Sequence, residues 1–108
     1  VFADDNRLSL IFVMAKGYEY QGQPIVVSEY GGFKLAGTEG WGYDGEAKDA
    51  EDLVRKYDEI TSAYKKMEKV CGFCYTQLTD VYHETNGLMS FDRTPKVPLK
   101  EIKKINER

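Results

Sequence analysis

The apolar positions of this chain follow three different spacings. Leu8, Ile11, Phe12 and Ala15 recur three and four residues apart behind Asp4, Asp5 and Asn6, which predicts a helix over residues 7–15 ending near Gly17. Ile25, Val26 and Val27 follow one another with no polar alternation, the pattern of a strand covered on both faces as in a parallel sheet. From residue 49 to 69 the helical spacing returns. Ala50, Leu53, Val54, Tyr57, Ile60, Thr61, Tyr64 and Met67 form one stripe, and Arg55, Lys56, Asp58, Glu59, Lys65, Lys66 and Glu68 form the wet face. Asp49 is the expected cap, with lysines gathered at the far end. A second strand is expected over residues 70–78. A short helix over residues 99–106 turns Leu99, Ile102 and Ile105 inward behind Pro98.

Between these elements lie two long loops, residues 33–46 and 79–98. The first is glycine-rich and carries Trp41 and Tyr43. The order is helix, strand, loop, helix, strand, loop, helix. That is an α/β chain, and strand-helix-strand with a buried first strand predicts a right-handed βαβ unit.

At 108 residues the chain is sized for one domain. Its 15 basic and 18 acidic residues leave a net charge of −3, without the basic face that nucleic acid demands. No apolar run is long enough to cross a bilayer, so neither nucleic acid nor membrane is an expected partner. Val1-Phe2-Ala3 runs straight into acidic residues without signal-peptide architecture, which reads as a cut end of a longer protein. Cys71 and Cys74 form a C-x-x-C string, but no second Cys or His pair completes a metal site. The two are expected as small core residues of the second strand. No metal and no cofactor is expected. His83, the single histidine, sits beside acidic neighbours and reads as a surface residue.

Ligands of α/β folds gather where strands end and loops begin. Glu29 occupies that place after the first strand, followed by Gly31 and Gly32. A carboxylate there can serve as nucleophile or base, or merely pair with a nearby cation. Asp80 holds the matching place after the second strand, where it can serve a site or organise a turn. Trp41 can offer an indole face to the apolar face of a pyranose, or anchor its loop on the scaffold.

The string Pro24-Ile-Val-Val-Ser-Glu29-Tyr-Gly-Gly32 resembles the nucleophile motif of family 2 glycoside hydrolases, the group of β-galactosidases, β-glucuronidases and β-mannosidases. A second stretch, Gly72-Phe-Cys-Tyr-Thr-Gln-Leu-Thr-Asp80-Val followed by Asn86-Gly-Leu-Met-Ser-Phe-Asp92-Arg-Thr-Pro-Lys96, resembles the last barrel strand and closing segment of that family. The resemblance covers nearly the whole chain. It implies that residues 1–108 are the C-terminal, incomplete part of a TIM (β/α)8 barrel: strand seven, helix seven, strand eight and helix eight, preceded by helix six. It also implies a retaining β-glycosidase, β-galactosidase-like, with Glu29 as nucleophile and Tyr30, Trp41 and Asp80 as substrate-binding residues. Many members carry a Trp near the end of strand eight, where this chain reads Tyr75-Thr76-Gln77-Leu78.

A retaining enzyme needs two carboxyl groups about 5–5.5 Å apart. The family draws its acid/base Glu from an Asn-Glu pair after strand four, which this chain lacks, so neither Glu39 nor Glu84 is assigned that role. The isolated chain is expected to be inactive, and to self-associate through strands left without neighbours. The competing expectation is a small stand-alone carbohydrate-binding or interaction module without catalysis.

Overall fold

The computed structural model describes residues 14–108. The helix expected over residues 7–15 lies outside them, apart from Met14 and Ala15, which are non-helical. The described chain is mixed α/β. Strand β1 is Ile25–Tyr30, and two short strands, β2 (Lys34–Leu35) and β3 (Glu46–Ala47), follow it. Helix α1 (Ala50–Lys65) leads into strand β4 (Val70–Tyr75), and helix α2 (Leu99–Glu107) closes the described chain.

β1 and β4 pair in parallel, with Ile25 opposite Val70, Val27 opposite Phe73 and Tyr30 opposite Tyr75. With α1 between them they form the expected strand-helix-strand unit. The Asp49 carboxylate caps α1 by accepting a hydrogen bond from the Asp52 N–H at 2.8 Å. The helix stops at Lys65, four residues short of the expected end, because residues 66–69 are spent on the turn that returns the chain to β4.

β4 also ends early. Its last rung is the Thr76 N–H on the Tyr30 carbonyl at 2.8 Å, and β1 offers no further partner beyond it. Leu78, placed in the strand by the sequence, is exposed in the following loop.

The core gathers Phe33, Ala47, Leu53, Tyr57, Leu88, Val97, Ile102 and Ile105 between α1, α2 and the two long loops. α2 is fastened to α1 by polar contacts. The Tyr57 hydroxyl donates to Asn106 Oδ1 at 2.8 Å, and Lys65 Nζ donates to the carbonyls of Ile105, Asn106 and Arg108 at the end of α2. That places a cation on the helix's negative terminus.

Two expectations are corrected. β1 is covered on one face only: Tyr30, Phe73 and Tyr75 pack toward Tyr57, Thr61 and Tyr64 of α1, whereas Val26 is 60% exposed. Cys71 and Cys74 are exposed rather than core, the Cys71 thiol donating to the Ile25 carbonyl. Both differences have one cause, since a single crossover helix covers a single face of a two-stranded sheet and nothing among the described residues covers the other.

Candidate functional site

The site is built at the carboxyl ends of β1 and β4. The register slips between Val27 and Tyr30, so Ser28 and Glu29 are exposed in succession and the usual alternation is broken. Tyr30 then turns into the core, its hydroxyl 2.8 Å from Thr61 Oγ1 and its ring edge-on to Tyr64 and Tyr75. Burial pushes the Tyr30 phenol above its ordinary range. Glu29 is thus held from below, while its carboxylate enters none of the seven ion pairs among the described residues.

Gly31 and Gly32 carry the chain over the strand end with φ of 81° and 89°. A Cβ at Gly31 would run into the Tyr75 ring, and one at Gly32 would meet the Tyr43 Cβ at 3.0 Å and Asn86 Nδ2 at 3.3 Å. The pair is therefore glycine for conformation and for room. Tyr75 packs half-buried against this turn, its phenol pushed up to about 12 by desolvation.

The first long loop folds back over the strand end. β2 and β3 pair in parallel across two residues, Lys34 with Glu46 and Leu35 with Ala47, and Lys34 Nζ meets Glu46 Oε2 at 3.1 Å. The Tyr43 N–H donates to the Gly32 carbonyl at 2.9 Å. Trp41 joins the two loops, its N–H donating to the His83 carbonyl at 2.8 Å and its carbonyl accepting from the Thr85 N–H at 2.9 Å. The Trp41 and Tyr43 rings meet edge-on at 5.0 Å and an interplanar angle of 85°. They remain 47% and 60% exposed. The Tyr43 phenol is raised by partial desolvation, then by the nearby negative charges of Glu84 and Glu29.

Asp80 lies behind this rim. Its Oδ1 accepts from Lys96 Nζ at 2.6 Å and from the Gly87 N–H at 2.8 Å, and both side chains of the ion pair are buried. Lys96 also donates to the Thr85 carbonyl at 2.9 Å, so the pair locks the second loop on which Glu84 and Asn86 ride. Asn86 is wholly buried. Its Nδ2 donates to the Thr76 carbonyl at 3.3 Å, and its Oδ1 has no hydrogen-bond partner.

Of the four residues singled out from sequence, Glu29 and Trp41 stand at the open rim. Of the other two, expected to touch substrate, Tyr30 has its hydroxyl paired with Thr61, and Asp80 has Oδ1 on Lys96 and Gly87. The structure adds Tyr43, Glu84 and Asn86. Tyr43 had a signal in its place two residues after Trp41 in a glycine-rich loop. Asn86 opens the second stretch of the resemblance but had no assigned role, and Glu84 had no signal, because only the fold brings their loop to the Trp41–Tyr43 loop. No group of three His, Cys, Asp or Glu able to hold a metal occurs among the described residues. An open carboxylate at the end of a strand can attack an electrophile bound there, provided a second acid assists departure. No protein-family model matches the chain, and no curated protein matches it.

Proposed function

We propose that this chain is the closing part of the catalytic barrel of a retaining β-glycosidase, β-galactosidase-like, in which Glu29 is the nucleophile. The observation that carries the reading is the setting of Glu29. It is an exposed carboxylate outside every ion pair among the described residues, on an irregular turn of strand at the carboxyl end of two adjacent parallel strands. Barrel enzymes draw their catalytic groups from that end. The likeness of Ser28-Glu29-Tyr30-Gly31-Gly32 to the family 2 nucleophile motif points the same way. So does the open sheet face of Val26 and Cys74, which a full barrel fills with side chains of its other strands.

In this reading the Glu29 carboxylate attacks the anomeric carbon as the glycosidic C–O bond breaks. The acid that protonates the departing oxygen comes from outside this chain. Water then attacks the glycosyl ester on the same carbon and gives its proton to that same group, now acting as base. The sugar leaves with retained configuration and Glu29 is regenerated. The isolated chain accordingly has no Glu29-dependent turnover of an aryl β-glycoside.

The test uses the parent protein encoded by the surrounding reading frame. A 2-deoxy-2-fluoro-β-galactosyl fluoride should form a stable ester, and peptide mapping should locate it on Glu29. Glu29→Gln should abolish both label and turnover. A label on any other carboxylate, or near-native turnover by Glu29→Gln, overturns the assignment. A sugar-binding module without catalysis is the second reading, favoured by the exposed Trp41–Tyr43 pair, which needs no nucleophile to hold a sugar. The labelling experiment separates the two.

A further inference from the structure

The rim around Glu29 has a chemical bias of its own. Its two exposed rings are held from their backbones: Trp41 by His83 and Thr85, Tyr43 by Gly32. They therefore form a platform whose backbone does not have to be ordered on binding, which lowers the entropic cost of capturing a ligand. The fixed charge beside that platform is negative. Glu84 is bridged along the backbone to Trp41, Glu29 stands at the end of β1 just before the Gly31-Gly32 turn, and Asp44 follows Tyr43 in the chain, its N–H on the Gly32 carbonyl. Two cations of these loops are already paired, Lys34 with Glu46 and Lys96 with Asp80.

An aromatic face accepts the apolar C–H face of any pyranose, charged or not. The surrounding carboxylates discriminate by repelling a sugar that carries its own carboxylate. We infer that the Trp41–Tyr43 platform binds pyranosides and that the carboxylates beside it select neutral ones against uronides, with Glu84 as the specificity-determining residue. This inference rests on the sugar reading of the site, but not on Glu29 being a nucleophile.

Trp41 is the only tryptophan, so its indole N–H gives one assigned signal in a ¹⁵N-labelled sample of the 108-residue chain. Titration with methyl β-galactoside or methyl β-glucoside should move that signal. Methyl β-glucuronide should bind on the order of fivefold more weakly at low ionic strength, the effect of two unit charges about 7 Å away in a water-like dielectric. The gap should narrow between about 0.01 M and about 0.15 M ionic strength, as the Debye length falls from about 30 Å to about 8 Å. Glu84→Gln should narrow it further at low salt. Tyr43→Ala should weaken binding of every sugar, because the ring is what the sugar meets.

Equal or tighter binding of the glucuronide overturns the inference, as does an indole signal that no glycoside moves. If neutral sugars bind selectively while the parent is never labelled at Glu29, the platform stands and the hydrolase reading falls. If the parent is labelled at Glu29 but turns over glucuronides in preference, the reverse holds.

Discussion

The Asp80–Lys96 pair offers the sharpest test of how the rim is held. Nζ and Oδ1 are 2.6 Å apart, and the two side chains are only 8% and 7% exposed. Replacing Lys96 by Met keeps most of the side-chain volume and removes the charge. Asp80 is then left buried with the Gly87 N–H as its remaining hydrogen-bond donor, and the Thr85 carbonyl loses the ammonium donor. Stripping one partner from a buried pair costs about 3–5 kcal/mol. Against a total stability of about 5–15 kcal/mol for a domain, that is about a fifth or more of what is there.

Urea unfolding followed by circular dichroism gives the free energy directly. A thermal scan should show Tm falling by at least about 12 °C, at about 4 °C or more per kcal/mol for a domain near this size. Asp80→Asn added to Lys96→Met removes the stranded charge, so the double variant should be more stable than Lys96→Met alone. A cost below about 1 kcal/mol, the range of an exposed ion pair, refutes the reasoning. So does a double variant less stable than the single. The Trp41 fluorescence should change with Lys96→Met, since Thr85 lies between Lys96 and the Trp41 backbone.

Gly31→Ala forces a left-handed backbone and drives a methyl into the Tyr75 ring, whereas Gly37→Ala, with φ 80° and open space around it, meets only the first penalty. The Gly37 change should cost about 1–2 kcal/mol and the Gly31 change distinctly more, measured by urea unfolding; equal costs would show that the ring moves aside freely. Asp92 is held down to about 2 by the Ser90 hydroxyl and then the Thr94 N–H. Its folded pKa lies below the unfolded value of about 3.9, so it adds stability above about pH 4 that is lost as pH falls toward 2. The Tm gap between wild type and Asp92→Asn should therefore be constant above about pH 5 and close near pH 2; a gap that does not change over that range contradicts the assignment. Among the described residues β1 and β4 each hydrogen-bond in their sheet only to the other, and Val26 is exposed, so the chain should self-associate by strand pairing or exchange. Light scattering should give a mass that rises with concentration and falls back with Val26→Lys, and a strict monomer at high concentration would count against it.

What the sequence made legible were features whose cause is local. The run Ile25-Val26-Val27 marked a parallel strand, and the stripe from Ala50 to Tyr64 behind Asp49 marked α1. What it hid depends on neighbours distant along the chain. β4 was expected to run to residue 78, but a strand lasts only as long as its partner, and β1 ends at Tyr30. The two-residue ladder of β2 with β3 carries no periodicity at all. Cys71 and Cys74 have the chemistry of core residues, yet burial belongs to whatever covers a face, and α1 covers only one. Asp80 is separated from Lys96 by sixteen residues, a pairing that no spacing rule suggests.

The motif around Glu29 can be accounted for almost residue by residue without appeal to chemistry, and that bears on how much weight it carries. Tyr30 is aromatic because it fills the space under β1 and reaches Thr61; Gly31 and Gly32 are glycine because Tyr75 and Tyr43 leave no room for a Cβ where φ is positive. Each of these residues shapes the scaffold, and none has a polar side-chain group at the rim. Glu29 is different, since it is exposed and enters no ion pair among the described residues. A carboxylate that the fold does not need, held in place by neighbours that the fold does need, is what a nucleophile requires: a fixed backbone and an uncommitted charge.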